Sequence, residues 1–418
     1  MLSHRVAGLL WRLRRNRRLS VDELQDMRSR KLRLMIRHAS ERVPYYRELF
    51  ASVGLSAGDV RSTDDLHQIP MSRKEDLVAA GYDKLLVQGT DRDACSVSRT
   101  SGSMGKPFST YFGGRESMTR RLLGISRLID TGLRPLDRVC VLCDPVQLSH
   151  SRFRTRCVSM SLPAEKQIEL LQQMQPTVLK AFPSSLRMLM HRAEPTLGRY
   201  LQPRIVGVSG EECDEDLRCA IESDLEAEVF SFYAAGEIGP IASECRAHQG
   251  LHVNADQLIV ECLGDDAAGG SGEIVITNLF AFTMPYIRYR IGDVGLFERT
   301  QCSCGCSFPR LMSVLGRRSN LIRLPEGRIR SVSAVVNTAL RPFPTLLRFR
   351  LIQEALDRFV LQVSFLEPAT EETLGDIKHR MLECLGDKVT VEVAVLDAFE
   401  GVGAYKFANF VSRLPDSP

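Results

Sequence analysis

Net charge is nearly absent from this 418-residue chain, in which 55 Lys and Arg stand against 51 Asp and Glu and leave a formal +4. So small an excess gives no reason to expect nucleic acid as a partner. A long apolar run is also lacking, and no transmembrane segment is expected. Met1–Arg18 (MLSHRVAGLLWRLRRNRR) combines basic residues with a short apolar stretch, but in the wrong order for a secretory leader, whose charges precede its apolar part. It is read instead as an amphipathic helix on the surface or at a partner. The 12 cysteines are unevenly spaced and follow no leader, which excludes a disulfide framework and indicates a reducing, cytoplasmic compartment. What remains is an ordinary globular composition, 44% hydrophobic and 25% charged, in a chain long enough for two or three domains.

The stretch VSRTSGSMGKPF (Val97–Phe108) packs hydroxyls and glycines more densely than a core strand or helix would tolerate. Glycines permit close approach, Thr100, Ser101 and Ser103 donate to phosphate oxygens, and Lys106 neutralises charge. It is not a Walker A loop: only two residues separate Gly102 from Gly105-Lys106, and Pro107 stands where Ser or Thr would hold magnesium. A surface Ser/Gly turn is the competing reading of this string alone.

Before it, Val21–Phe50 has helical apolar spacing and breaks at Val43-Pro44. Pro70 and the charged string Arg73–Asp76 lead into a further short helix. Cys95–Val97, the loop and the alternating FSTYF (Phe108–Phe112) read as strand, loop and strand. From Arg138 to Val208, strands at Val139–Leu142, Val178–Phe182 and Arg204–Val208 alternate with helices around Glu165–Met174 and Ser184–Arg192. That order indicates βαβ units and a largely parallel sheet, whose ligands bind beyond the carboxyl ends of the strands. Two small-residue turns each carry a glutamate there: Ser209-Gly210-Glu211, and Ala234-Ala235-Gly236-Glu237 after the strand Val229–Tyr233. Toward the C-terminus, Arg348–Ile352, Phe359–Phe365, a helix across Glu371–Leu385 and Val389–Val395 read as a small α+β domain of about a hundred residues. A second group of chemically active residues, Cys245, His248, His252, Cys302, Cys304 and Cys306, lies in the two short loops ECRAHQGLH and QCSCGCSF, each next to an expected strand. Four soft or borderline ligands from two loops can form a closed tetrahedral zinc site.

SRTSGSMGKP, SGE at 209–211, YAAGEIGPIASEC at 233–245, GEIVITNLFAFTMPYIRYRIGDVG at 272–295 and GRRSNLI at 316–322 resemble, in order, the motifs of adenylate-forming enzymes, in the phenylacetate–CoA ligase-like branch. RHASERVPYYRELFASVGL (37–55) and SRKEDL (72–77) are similar to the start of that branch. The resemblance implies an α/β fold: a large N-terminal domain with mixed and parallel sheets (1–316), a hinge near 317–320 and a small mobile α+β domain (317–418). It implies ATP-dependent activation of a carboxylic acid as the acyl-adenylate, then transfer to a thiol, either coenzyme A or the pantetheine arm of an acyl carrier protein. ATP, Mg²⁺, coenzyme A and a structural Zn²⁺ are the implied cofactors. By resemblance Glu237 holds magnesium, Ser209, Gly210, Glu211 and Tyr233 flank adenine, Asp293, placed after a strand carrying Arg288 and Arg290, takes the ribose hydroxyls, and Arg317 reaches ribose or phosphate. Lys406, in GVGAYKFANF, is the lysine that enters the site for the first half-reaction. Some members of the branch resemble the C-x6-H…C-x-C spacing of Cys245, His252, Cys302 and Cys304, which selects these four for zinc.

The sequence departs from the family pattern at Met104 and at Ala235-Gly236, at Ser319-Asn320 in the hinge, and at Tyr405 and Phe407 beside Lys406. Two lost hydroxyls near phosphate keep a second class of function open, a nucleotide- or acyl-binding partner with weakened turnover. Transfer of an acyl or adenylyl group to an acceptor other than coenzyme A is a further alternative. The expected pocket stretches, Leu142–His150, Tyr233–Ala235 and Phe280–Thr283, hold no obvious counter-charge, so a small aromatic or aliphatic acid is expected. The expected partners are that acid, the thiol acceptor and a second copy of the chain in a homodimer.

Overall fold

Ser20 opens the long N-terminal helix with a reciprocal cap: its hydroxyl accepts from the Glu23 N–H, and the Glu23 carboxylate accepts from the Ser20 N–H. The computed structural model describes residues 4–99, 108–144, 155–264, 271–298, 300–317, 321–340, 342–343, 345–365, 367–396 and 409–414. Helices α1 (His4–Arg15), α2 (Val21–Arg42) and α3 (Pro44–Ser52) come first. Val43 is extended and Pro44 begins α3, so proline sets the break between the two helices. Helix α1 lies on the surface of the larger unit with its apolar side packed inward. Its Leu13 is 1% exposed in one apolar cluster with Leu122 and Leu123, Asn16 Nδ2 donates to Asp256 at 2.9 Å, and Arg17 pairs with Asp130. An apolar stripe gains more by docking on the body than by facing water, so only the far side, with Trp11, stays exposed.

Helices α4 (Lys74–Ala80) and α5 (Tyr82–Leu85) precede strands β1 (Ser96–Arg99) and β2 (Ser109–Phe112), which pair antiparallel around the Gly/Ser loop. There follow α6 (Gly114–Asp130), β3 (Val139–Leu142), β4 (Thr155–Val158), α7 (Ala164–Met174), β5 (Val178–Ala181), α8 (Pro183–Arg192), β6 (Ile205–Ser209), α9 (Glu215–Leu225), β7 (Glu228–Ala235), β8 (Gly239–Glu244), β9 (Leu251–Val253), β10 (Leu258–Leu263), β11 (Ser271–Asn278), β12 (Tyr289–Glu298) and β13 (Arg310–Arg317). These form an 11-stranded sheet in the order β10-β11-β12-β13-β9-β8-β7-β6-β5-β3-β4. From β4 to β7 the pairs are parallel, and from β7 to β9 antiparallel. One face of the parallel strands packs Leu179, Val206, Val208 and Val229 against Ile168, Leu186 and Ile221 of the connecting helices. That burial is what a βαβ pattern of near-continuous apolar strands requires.

The chain divides into two compact units. The larger comprises Met1–Leu263, Gly272–Ile291 and Gly295–Val314; the smaller comprises Leu315–Pro418 with the short pieces Gly264–Ser271 and Gly292–Val294. The smaller unit holds the hairpin β14 (Leu321–Arg323) and β15 (Ile329–Ser331), helix α10 (Val332–Leu340), and a sheet ordered β18-β17-β16-β19. Its strands are β16 (Leu346–Ala355), β17 (Arg358–Phe365), β18 (Thr390–Val395) and β19 (Phe410–Ser412), with α11 (Glu371–Leu385) before β18. Phe359, Leu361, Ile377 and Met381 are fully buried between sheet and helix. Among the described residues no helix is long and apolar enough to cross a membrane.

Candidate active site and metal centre

The two glutamate-bearing turns follow neighbouring strands at the carboxyl edge of the parallel strands, where register places Ser209, the last residue of β6, beside Phe232 of β7. Gly210 follows with φ +85°, and a Cβ there would come within 2.4 Å of the Phe182 ring, so the turn demands glycine. Glu211 is engaged at the start of α8: its two oxygens accept from the Ser184 N–H at 2.9 Å and the Ser184 hydroxyl at 2.8 Å. Tyr233 is half-buried in β7. Beyond it, Glu237 sits in the turn between β7 and β8, 4% exposed, and accepts from Tyr289 Oη at 3.4 Å. The turn joins two strands and opens no helix.

Arg120 of α6, which the sequence did not single out, is bound into the same turn. It donates to the Gly236 carbonyl at 3.0 Å and to the Ser98 hydroxyl at 3.2 Å, with its guanidinium 4.6 Å from the centre of the Phe112 ring. Burial pulls its pKa below the ordinary arginine value, opposed by the nearby Glu237 carboxylate. Gly239, at φ +100°, leaves the space this side chain fills, since a Cβ there would lie 2.7 Å from Arg120 Nε.

The Phe280–Thr283 stretch is fixed by two side chains that catch its backbone donors. Asn278 Oδ1 accepts from the Phe280 and Ala281 N–H groups at 3.0 Å each. Glu116 Oε1 accepts from Phe282 and Thr283 at 2.7 Å each, while its Oε2 accepts from Gly113 at 2.8 Å. A buried carboxylate with three N–H donors is well satisfied, and the segment is held as a rigid turn.

Asp293 differs from its expected place. It lies inside β12, next to Gly292 at φ +83°, and Arg288 precedes the strand at φ +47°. The glycine kink reads in sequence as a strand end, yet the strand continues through it. Arg288 is held by Glu261 at 3.0 Å and by the carbonyls of His67 and Ile69, and Arg290 pairs with Glu273. In the smaller unit Arg317 Nε lies 3.2 Å from Asp293 Oδ1. Thr100, Ser101, Gly102, Ser103, Gly105 and Lys106, with Met104, and likewise Ser319, Asn320 and Lys406, lie outside the described residues.

A separate cluster lies at the far end of β8. Cys245 follows that strand, His252 is the middle residue of β9, and β13 pairs with β9 so that Arg310 stands beside His252. Donor atoms of Cys245, His252, Cys302 and Cys304 all lie within 4.8 Å of one another. Tetrahedral zinc with bonds of about 2.3 Å to sulfur and about 2.0 Å to nitrogen separates two sulfurs by roughly 3.8 Å and a sulfur from a nitrogen by roughly 3.5 Å. The sulfurs of Cys245 and Cys302 are 3.8 Å apart, and Cys304 Sγ is 3.3 Å from His252 Nε2. His252 Nδ1 faces the Phe308 carbonyl at 3.2 Å. That partner assigns the proton to Nδ1 and turns the Nε2 lone pair to the thiols, as a ligating imidazole requires.

Burial pushes thiols up, yet Cys245 is held down to about 6 by His252, the Ala247 amide and Cys304. Burial in turn lowers an imidazole, but contacts with Cys245, Cys306 and Cys302 raise His252 to about 11. Cys245 thus favours the thiolate, the form that binds metal, whereas burial and the neighbouring Cys302 and Cys245 thiols push Cys304 up to about 11. Buried Arg310, also missed by the sequence reading, braces the two loops: it donates to the Gln249 carbonyl on one side and to Thr300 O and Oγ1 at 2.9 Å on the other. Short Cys/His spacings announce such a cluster; nothing local marks the arginine that holds it.

No family model matches the chain. Among curated proteins it is 28% identical to phenylacetate–coenzyme A ligase of Escherichia coli K12, covering 66% of this chain and 67% of that one. It is 24% identical to the corresponding ligase of Thermus thermophilus, covering 72% of each. The solved structure of a 2-hydroxyisobutyryl-CoA ligase in its postadenylation state superposes with a TM-score of 0.77 at 20% identity, over 95% of this chain and 91% of that one. An anthranilate CoA ligase gives 0.53 at 13% identity, over 76% and 66%. The fold is that of the adenylate-forming enzymes. In sequence, the chain is similar to the phenylacetate–CoA ligases, at 24–28% identity.

Proposed function

We propose that the protein uses ATP to activate a small carboxylic acid as an acyl-adenylate and passes the acyl group to the thiol of coenzyme A. The observation that carries this reading is the pair of turns at adjacent strand ends, Ser209–Glu211 and Ala234–Glu237, at the ligand-binding edge of the parallel strands. In the first half-reaction a carboxylate oxygen attacks the α-phosphorus and the bond to pyrophosphate breaks. In the second, the thiol sulfur attacks the acyl carbon, its proton is lost, and AMP departs. Lys106 and the Thr100, Ser101 and Ser103 hydroxyls would bind phosphate, Tyr233 and Ser209–Glu211 would flank adenine, and Asp293 and Arg317 would engage ribose. Lys406 would supply a positive charge for adenylation only.

The buried Glu237 carboxylate is a hard oxygen donor suited to Mg²⁺, which when bound screens triphosphate charge. Arg120 restrains the turn that presents this glutamate. Cys245, His252, Cys302 and Cys304 would hold one zinc ion, and their soft, closed donor set suits a structural rather than a catalytic metal.

Pyrophosphate exchange over a panel of acids tests the reading, and Glu237→Gln should remove most of it, roughly a hundredfold or more, without unfolding the chain. ATP binding with no exchange for any acid would replace this reading by that of a nucleotide-binding partner.

A further inference from the structure

Lys180 stands third in β5, where most neighbours are apolar. Parallel pairing sets it beside Gly207 of β6, and Gly207 beside Phe230 of β7; the next row toward the strand ends holds Ser209 and Phe232. Gly207 leaves room on this face: a Cβ there would meet Phe232 Cε2 at 2.9 Å and Lys180 Cγ at 3.3 Å. The lysine stem therefore runs over the glycine, and its ammonium lies 5.0 Å from the centre of the Phe232 ring, one row nearer the edge where Ser209 ends its strand. Protein surrounds the side chain, and burial pulls its pKa below the ordinary lysine value. The residue nevertheless keeps intermediate accessibility, as a side chain lining a cleft does. Among the described residues no carboxylate pairs with it, and a ring face is the contact its charge makes. A cation so enclosed calls for an anion to complete it.

We propose that Lys180 is a specificity residue of the acid site, binding a second anionic group of the substrate, so that the preferred acid carries a carboxylate or comparable anion at the end remote from the carboxyl that is activated. This rests on the acyl-adenylate reading given above. It replaces the expectation of a pocket without a counter-charge, which considered only stretches that do not include β5.

The test is pyrophosphate exchange by the whole chain on matched acids, glutarate against valerate and terephthalate against 4-methylbenzoate. Wild type should prefer the diacid of each pair. Lys180→Met should lower kcat/KM for the diacids roughly 10- to 150-fold, mainly through KM, as loss of a charge-assisted hydrogen bond does. The neutral acids should change by less than about threefold. Lys180→Arg should keep the preference, and this variant with wild type decides the matter should the methionine variant fail to fold. Exchange by wild type that favours the neutral acids, or an equal loss on both members of a pair, overturns the role of Lys180 alone. Exchange with no acid at all overturns the adenylation reading and the proposal together.

Discussion

Glutamine at position 116 removes a charge while keeping the shape. In wild type, Glu116 is 8% exposed and its two oxygens satisfy three backbone donors, from Gly113, Phe282 and Thr283. A glutamine has one oxygen. If that oxygen stays on Phe282 and Thr283, the amide nitrogen faces the Gly113 N–H, donor against donor, and Gly113 retains only the Thr283 hydroxyl at 3.2 Å. Losing one bond costs about 1–3 kcal/mol, and making the other two neutral costs roughly 1 kcal/mol each, so Glu116→Gln should cost about 3–5 kcal/mol. Glu116→Ala leaves all three donors without that acceptor and should cost more. Urea unfolding followed by circular dichroism measures both. Because the released turn carries Phe280–Thr283, KM for the acid should rise further than KM for ATP. A glutamine variant within about 0.5 kcal/mol of wild type, or an alanine variant no worse than glutamine, would refute the assignment of this carboxylate as the clasp of the turn.

Purified protein should contain about one zinc per chain, and Cys302→Ser combined with Cys304→Ser should lose the metal and melt at lower temperature, read by elemental analysis and calorimetry; a metal-free wild type of equal stability would count against the site. Gly239→Ala should destabilise the protein and reduce exchange, because both the positive φ and the Arg120 side chain resist a Cβ there; unchanged melting and turnover would show that Arg120 is free to move. Lys180 gives a pH signature. Its folded pKa lies below the ordinary lysine value, so between the two values the unfolded chain binds more protons and wild-type stability rises with pH. The stability advantage of Lys180→Met should thus be greatest below that window and fade as pH approaches the ordinary lysine value; melting curves that run parallel across neutral to alkaline pH would contradict a buried, unpaired ammonium.

The parallel strands were legible because each is a short apolar run separated by a helix-length amphipathic spacer, and the α2–α3 break because proline cannot follow a helical residue comfortably. The cysteine and histidine spacings drew attention to two loops that the pairing of β8, β9 and β13 then brings side by side. Three kinds of information were not legible. Whether α1 docks depends on a surface made by α6, more than a hundred residues away in sequence. Asp293 was placed after its strand because Gly292 reads as a strand end, whereas it is a kink within a continuous strand, and local chemistry cannot distinguish the two. Glu116, Arg120, Lys180 and Arg310 were passed over because a charged residue in a helix or strand reads as solvated, and only the fold reveals that these are enclosed.

The position of β8 separates the two chemical centres. Its first residue, Gly239, follows the turn of Glu237, and its last, Glu244, precedes Cys245, so one six-residue strand joins the glutamate to the thiolate cluster. At a rise of about 3.3 Å per residue, that places them roughly 20 Å apart along the strand, too far for a metal at the cysteines to polarise a carboxylate held near Glu237. A metal there would act through stiffness instead. It would fasten the distal ends of β8, β9 and the loop before β13, and Arg310 already braces those loops. Removal of zinc should therefore act chiefly on stability. At a temperature where the zinc-depleted protein is still folded, exchange activity should remain close to wild type, and a loss proportional to the zinc removed would place the metal in the reaction itself.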